Sequence, residues 1–358
     1  MRRFLQKILT KPVISLANRF SSKPDKKRVH QALSELFQCI KEGKTKKGVT
    51  LKIKDNDKFV ILSDQHKGCR DDADDFSLAE KNYLNALDFY YENNYFYINL
   101  GDSEELWENS ITEVKKSNVA TFAKEKKFAE ANRFVKIFGN HDLYWDNDPF
   151  AAMQLQSIYQ QKIKIYEGAV LQTQVNNKTI QIFLTHGHQG DKQSDGNWFS
   201  KWFVANVWAP FQAYLKLNPN TPAYDVVLKT EHNRFMYEWS SAEKNVLLIT
   251  GHTHQPVFMS LTHLERLYVK LSSAQKANDT AAIKNIEDEI KKAQPKNETT
   301  PDFSKIIPSY FNSGCCCFND GDITGIEIAN ECIRLIKWKN TREVLEEIRL
   351  SELEDLLP

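Results

Sequence analysis

The stretch VKIFGNHDLYW, Val135 to Trp145, starts as an apolar strand and then sets an amide, an imidazole and a carboxylate side by side just past a glycine. An unbroken apolar run is the pattern of a strand covered on both faces. A Gly-Asn-His-Asp turn behind it can do no more than satisfy its own backbone, so one such block decides nothing. The form recurs, however, in KFVILSD ending at Asp64, YFYINLGD at Asp102, TIQIFLTHGH at His188 and NVLLITGHTH at His254. Five apolar runs each deliver polar residues at the C-terminal end.

Between the first two runs, SLAEKNYLNALDFYYENN places Leu78, Leu84, Leu87 and Tyr91 at helical spacing. Strands alternating with helices predict an α/β fold, whose ligand sites gather at strand C-termini. A helix is expected from Lys26 to about Gly43. YFNSGCCCFND, GDITGIEIAN and CIRLIKWKN read as three closing strands.

The bulk numbers narrow the function. The chain has 358 residues, 41% apolar and 27% charged, enough for one large core without staples. With 48 Lys and Arg against 47 Asp and Glu, the net charge of +1 gives no field to recruit nucleic acid. The six cysteines, at 39, 69, 315, 316, 317 and 332, form no C-x-x-C pair and read as small, reduced, buried packing residues of a cytoplasmic protein. No run of about 18 apolar residues predicts a transmembrane helix.

The domain layout expected from these patterns is a basic N-terminal helical extension (1–50), a main domain (51–340) and a C-terminal helix (341–358). Two insertions interrupt the main domain. An aromatic helical one (196–240) carries Trp198, Trp202 and Trp208, and a polar helical hairpin occupies 262–304. Residues 1–24 hold six Lys and Arg and no acid, with Phe4, Leu5, Ile8 and Leu9 on one helical face. That composition suits peripheral contact with an anionic membrane, an organellar transit segment, or a helix docked on its own domain. Nothing in the pattern fixes an oligomeric state.

The ordered blocks D-x-H (Asp64, His66), GD (Asp102), GNHD (Asn140, His141, Asp142), H-G-H (His186, His188) and GHTH (His252, His254) resemble the calcineurin-like metallophosphoesterases from about Phe59 to His254, with an echo at Asn312-Ser313-Gly314. The resemblance implies a four-layer α/β/β/α sandwich of two mixed sheets and a binuclear centre. In it Asp64, His66 and His254 hold one metal, Asn140, His186 and His252 the other, and Asp102 bridges both. It further implies phosphate-ester hydrolysis by a metal-bridging hydroxide, with His141 meeting the substrate or protonating the leaving oxygen and Asp142 orienting His141. Oxygen and imidazole donors without thiolate suit two divalent ions, Mn²⁺ first, with Fe, Mg²⁺ or Zn²⁺ as alternatives.

GDSEELWE, Gly101 to Glu108, is similar to an extension in UDP-2,3-diacylglucosamine hydrolase-type enzymes. That likeness implies a phosphodiester or pyrophosphate bond in a small nucleotide- or lipid-linked substrate. A phosphomonoesterase on the same site is the alternative, and a metal-bearing interaction protein without turnover is a third. Lys67, Arg70 and Arg234 are candidate phosphate contacts by charge, and His188 is a candidate substrate or supporting group.

Overall fold

The computed structural model describes residues 25–44, 47–54, 56–71, 74–190, 226–293 and 306–358. Fourteen strands among them form two seven-stranded mixed sheets. The first runs in the order β1 (Gly48–Lys52), β6 (Gly168–Val175), β7 (Lys178–Thr185), β8 (Val246–Thr250), β11 (Tyr310–Asn312), β9 (Val257–Phe258) and β10 (Leu261–Thr262), with β7, β8 and β11 parallel. In the second, β14 (Thr341–Arg349), β13 (Cys332–Lys339) and β12 (Ile323–Ala329) add antiparallel to β2 (Phe59–Leu62). That strand continues in parallel through β3 (Phe96–Leu100), β4 (Phe134–Ile137) and β5 (Ile165–Tyr166).

Strand side chains alternate between faces, and this alternation builds the layers. From β2, Phe59 and Ile61 point inward to join Ile98, Leu100, Leu171, Ile182, Leu184 and Ile249 in one core between the sheets. Val60 and Leu62 point outward, under Phe76, Ala79, Tyr83 and Leu87 of helix α2 (Phe76–Glu92). On the opposite side, Val29, Leu33 and Phe37 of α1 (Lys26–Lys41) and Phe235, Met236 and Trp239 of a helix at Val226–Ser240 cover Val170, Phe183 and Leu248. The result is the four-layer α/β/β/α sandwich. Each fully buried Leu or Phe in these clusters contributes about 1.5–3 kcal/mol of transfer free energy. Helix α1 begins where Asp25 Oδ1 accepts from the Arg28 amide at 3.1 Å, and its apolar residues recur at 29, 33, 36, 37 and 40 on one buried face.

Two expected boundaries change. Residues 26–50 are no appendage, because α1 covers one sheet and β1 pairs in parallel with β6 from Gly48 opposite Gly168. Residues 341–349, expected to be helical, form strand β14. The run TREVLEEIR is full of helix formers, yet β13 offers an open edge, and pairing along the whole strand overrides propensity. Arg342 on β14 reaches both carboxylate oxygens of Glu327 at 2.6 Å, and helix occupies Leu350–Glu354 alone.

Within residues 262–293 two helices run over His263–Lys276 and Thr280–Ala293. A reciprocal cap of Thr262 and Glu265 starts the first. Arg266 and Lys270 dock that helix on Glu346 of β14 at 3.3 and 2.7 Å. The basic segment 1–24 and the aromatic stretch up to residue 225 lie outside the described residues. Among those described, no helix is long and apolar enough to cross a membrane.

Candidate metal centre

The two sheets bring their parallel strand ends to one edge. Asp64 follows β2, Asp102 follows β3, Asn140 follows β4, His186 follows β7, and His252 with His254 follow β8. The ligand atoms of Asp64, His66 and His254 lie within 4.8 Å of one another, as do those of Asp102, His186 and His252. The first group has the membership the resemblance implies, while the second contains Asp102 where the resemblance implies Asn140 beside His186 and His252. His186 Nε2 stands 3.0 Å from Asp102 Oδ2 and 3.9 Å from Asp64 Oδ1, which links the two groups.

The backbone bends sharply to aim these side chains. Five of the seven candidate ligands have left-handed φ values: Asp64 at 55°, His66 at 49°, Asp102 at 48°, His252 at 68° and His254 at 54°. L-residues adopt this region at a cost, and such costs collect at functional sites. The glycines of the blocks provide clearance. A Cβ on Gly139 would collide with Asp102 Oδ1, and one on Gly101, itself at φ 93°, would lie 2.7 Å from the His186 ring.

The donor set fits divalent cations, on three observations. His186 Nδ1 donates to the Leu100 carbonyl at 2.8 Å, which leaves Nε2, 3.0 Å from Asp102 Oδ2, as the ring atom turned to the centre. His66 Nδ1 donates to Glu105 Oε2 at 2.9 Å, which turns its Nε2 toward His254 Nε2 at 3.2 Å. Imidazole nitrogens and carboxylate oxygens turned this closely on one another share protons or a cation, and the same atoms are those that would ligate an ion. Among the described residues Asn140 Oδ1 has no hydrogen-bond partner although it is buried, as a neutral oxygen ligand would be.

The carboxylates hold protons on the imidazoles they face, and a bound cation would take the place of those protons. Against burial, which works downward, Asp102 and Asp64 push His186 up to about 9, and Asp64 pushes His254 up to about 10. Burial works upward on Asp102, but His186 and His141 hold it well below the usual carboxylate range. His252 is driven well below its ordinary value by burial and by His232, and therefore stays neutral.

His141 stands at the rim, its side chain 16% exposed. Its ring lies 4.7 Å from the His66 ring and stacks on Trp107 at 4.3 Å and 15°, while Trp107 Nε1 donates to the Asn140 carbonyl at 2.5 Å. Burial would lower the imidazole, but Glu105 and Asp102 raise it to about 9. A cavity of about 220 Å³ opens beside it, lined by Leu106, Trp107, Tyr144, Asn147 and Asp148.

Asp142 requires a correction. Its carboxylate does not orient His141. It accepts from the backbone amides of Gly139 at 2.5 Å and Ser103 at 2.9 Å, tying the GNHD turn to the GD turn. Glu105 orients His141 instead, with its Oε1 2.9 Å from Nδ1, and sequence reasoning missed it. The expected phosphate contacts are engaged elsewhere. Lys67 is fully buried between Glu104 and Glu125 at 3.0 and 2.7 Å, Arg70 binds Glu80 and the Asn118 side chain, and Arg234 lies on the surface near Glu231 and Glu238. His188 is buried, its Nδ1 without a partner among the described residues, and burial together with His186 brings it down to about 3. Cys315 and Cys317, expected to be mere packing, lie against His254, with Cys317 Sγ 3.8 Å from its Nδ1. Burial raises the Cys315 thiol, yet Cys317 and His254 bring it down to about 6.

Two mixed sheets that present histidines and carboxylates from their strand ends, grouped to hold cations, define a metal-dependent hydrolase. The family model for calcineurin-like phosphoesterases matches residues 57–256, and the chain belongs to that family. Its members are metal-dependent phosphoester hydrolases that use divalent ions. Among solved structures the chain is similar to a point mutant of a cold-active protein tyrosine phosphatase, at 13% identity and a TM-score of 0.36, covering 85% of this chain and 84% of that one. It is likewise similar to a 1.1 Å structure of cold-active protein tyrosine phosphatase, at 12% identity and a TM-score of 0.36, covering 88% and 85%. No curated protein matches at a significant level.

Proposed function

We propose that the protein hydrolyses a phosphodiester whose leaving alcohol carries an aromatic or apolar group. One observation supports this reading over a pyrophosphate: among the described residues, the cavity beside His141 is lined by Leu106, Trp107, Tyr144, Asn147 and Asp148, without a lysine or arginine. A second phosphoryl group on the leaving side would need cationic partners there. A ring or an apolar chain instead gains contact with Trp107 and Tyr144.

Divalent cations held by Asp64, His66, Asp102, Asn140, His186, His252 and His254 would polarise the phosphoryl oxygens and lower the pKa of water. The rest falls to the chain's own residues. His141, with Nδ1 committed to Glu105 at 2.9 Å, keeps Nε2 to deliver a proton to the departing oxygen, and its charge stabilises the crowded phosphoryl group. Trp107, stacked on the imidazole, limits rotation of the ring and screens it from water.

An aryl phosphomonoester is the second reading, because the same rings accept an aryl leaving group. Turnover of bis-p-nitrophenyl phosphate against p-nitrophenyl phosphate with added Mn²⁺ tests the choice. The diester is expected to give the higher kcat/KM, and a clear preference for the monoester would overturn the proposal.

A further inference from the structure

We infer that Cys315, Cys317 and His254 form a second cation site, selective for thiophilic ions such as Zn²⁺ or Cd²⁺, that shares an imidazole with the oxygen-rich centre. The segment after β11 places alternate side chains on opposite sides. Cys316 turns into the core under α2, with its Sγ 3.8 Å from the Thr324 carbonyl. Cys315 and Cys317 turn the other way, and their sulfurs lie with a His254 ring nitrogen inside 4.8 Å of one another. All three side chains are at least nine-tenths buried.

The dimensions suit an ion. Tetrahedral zinc with Zn–S near 2.3 Å and Zn–N near 2.0 Å separates sulfur from nitrogen by about 3.5 Å, and Cys317 Sγ stands 3.8 Å from His254 Nδ1. Two sulfurs and one imidazole, with no carboxylate in the set, prefer zinc or softer ions to Mn²⁺ or Mg²⁺. A tetrahedral ion held by three protein groups keeps a fourth position for water or another donor.

His254 joins the two centres through opposite ring atoms. Its Nε2 stands 3.2 Å from Asp64 Oδ1 and 3.2 Å from His66 Nε2, while Nδ1 faces the thiols. An ion on the sulfur side removes the Nδ1 proton and alters the donor strength of Nε2 across the ring. Occupancy of the thiol pair therefore bears on the neighbouring centre whatever ester the enzyme cleaves, and the inference stands apart from the choice of substrate.

The test is a Cd²⁺ titration of the reduced, metal-stripped full chain carrying Cys39→Ser and Cys69→Ser, read by thiolate-to-metal charge-transfer absorbance rather than by turnover. A band that saturates near one equivalent and persists when Mn²⁺ is added first is expected. Cys315→Ser and Cys317→Ser should each weaken cadmium binding by more than about tenfold, whereas Cys316→Ser should retain the band. Absence of any band in the parent protein overturns the inference without reference to a variant. Survival of the band in the Cys315→Ser/Cys317→Ser double variant overturns it equally.

Discussion

The Glu105 carboxylate holds His141 by Nδ1 at 2.9 Å while its other oxygen accepts a hydrogen bond from His66 Nδ1, also at 2.9 Å. One side chain thus sets the tautomer of a metal-facing imidazole and of the residue assigned to the leaving group. Glu105→Gln should lower kcat by about 10–100-fold with KM little changed, because substrate contacts remain. Steady-state kinetics with metal content measured in parallel checks this. A variant with normal kcat would remove Glu105 from the machinery.

Asp102 and His141 should separate cleanly. Asp102 faces His186 and His66 across the centre, so Asp102→Ala should lose bound metal and activity together. His141→Ala should keep its metal and lose about 10²–10⁴-fold in turnover. Elemental analysis of both purified variants, beside their rates, decides it. Equal metal content in the two would contradict this division of roles.

Gly139 is a test of clearance. The Asp102 carboxylate occupies the space a methyl group would need, so Gly139→Ala should displace that carboxylate while β4 remains in its sheet. Metal affinity should fall at least about tenfold, with thermal stability reduced by no more than about 1–3 kcal/mol. Calorimetric metal titration and thermal melting give both numbers. Unchanged metal affinity would mean that Asp102 has room to move.

Beneath the centre, Glu104 neutralises Lys136 and Lys67 at 2.9 and 3.0 Å with no exposure of any of the three. Glu104→Gln should cost about 3–5 kcal/mol, chiefly by leaving ammonium charge buried. Burial raises the Glu104 carboxyl, but Lys136 and Lys67 hold it at about 2 against an ordinary 4.5. Its contribution is therefore complete above pH 4.5 and is lost as pH falls toward 2. Urea unfolding of the parent at pH 7 and pH 3 should show that loss, and the variant should show a shallower dependence. Parallel slopes would rule out the pair as the source.

Trp107→Ala should raise KM for bis-p-nitrophenyl phosphate and also lower kcat, since the indole both lines the cavity and stacks on His141. Inorganic phosphate, which has no leaving group, should inhibit the variant and the parent alike. Loss of phosphate inhibition would place Trp107 at the phosphoryl position instead.

The strand ends were legible because buried strands must be apolar throughout, so polar residues just past Leu62, Leu100, Ile137 and Thr250 stand out. What lies between those ends was less legible. Adjacency suggested Asp142 as the partner of His141, but neighbours in a tight turn diverge, and the partner came from Glu105 on another loop. The contact of Cys317 with His254 spans 63 positions, a separation no local pattern reports. Strand β14 was hidden by its own composition, because an open edge on β13 is a property of the folded neighbour.

The left-handed turns at Asp64, His66, Asp102, His252 and His254 bear on how this family member can be altered. Glycine adopts such a conformation without steric strain, so replacing one of these residues with glycine relieves the local backbone while abolishing the chemistry it served. Strain at these five positions is thus kept in place by the function it serves, and a search for hardier sequences guided by melting temperature alone would be drawn to the positions least able to change.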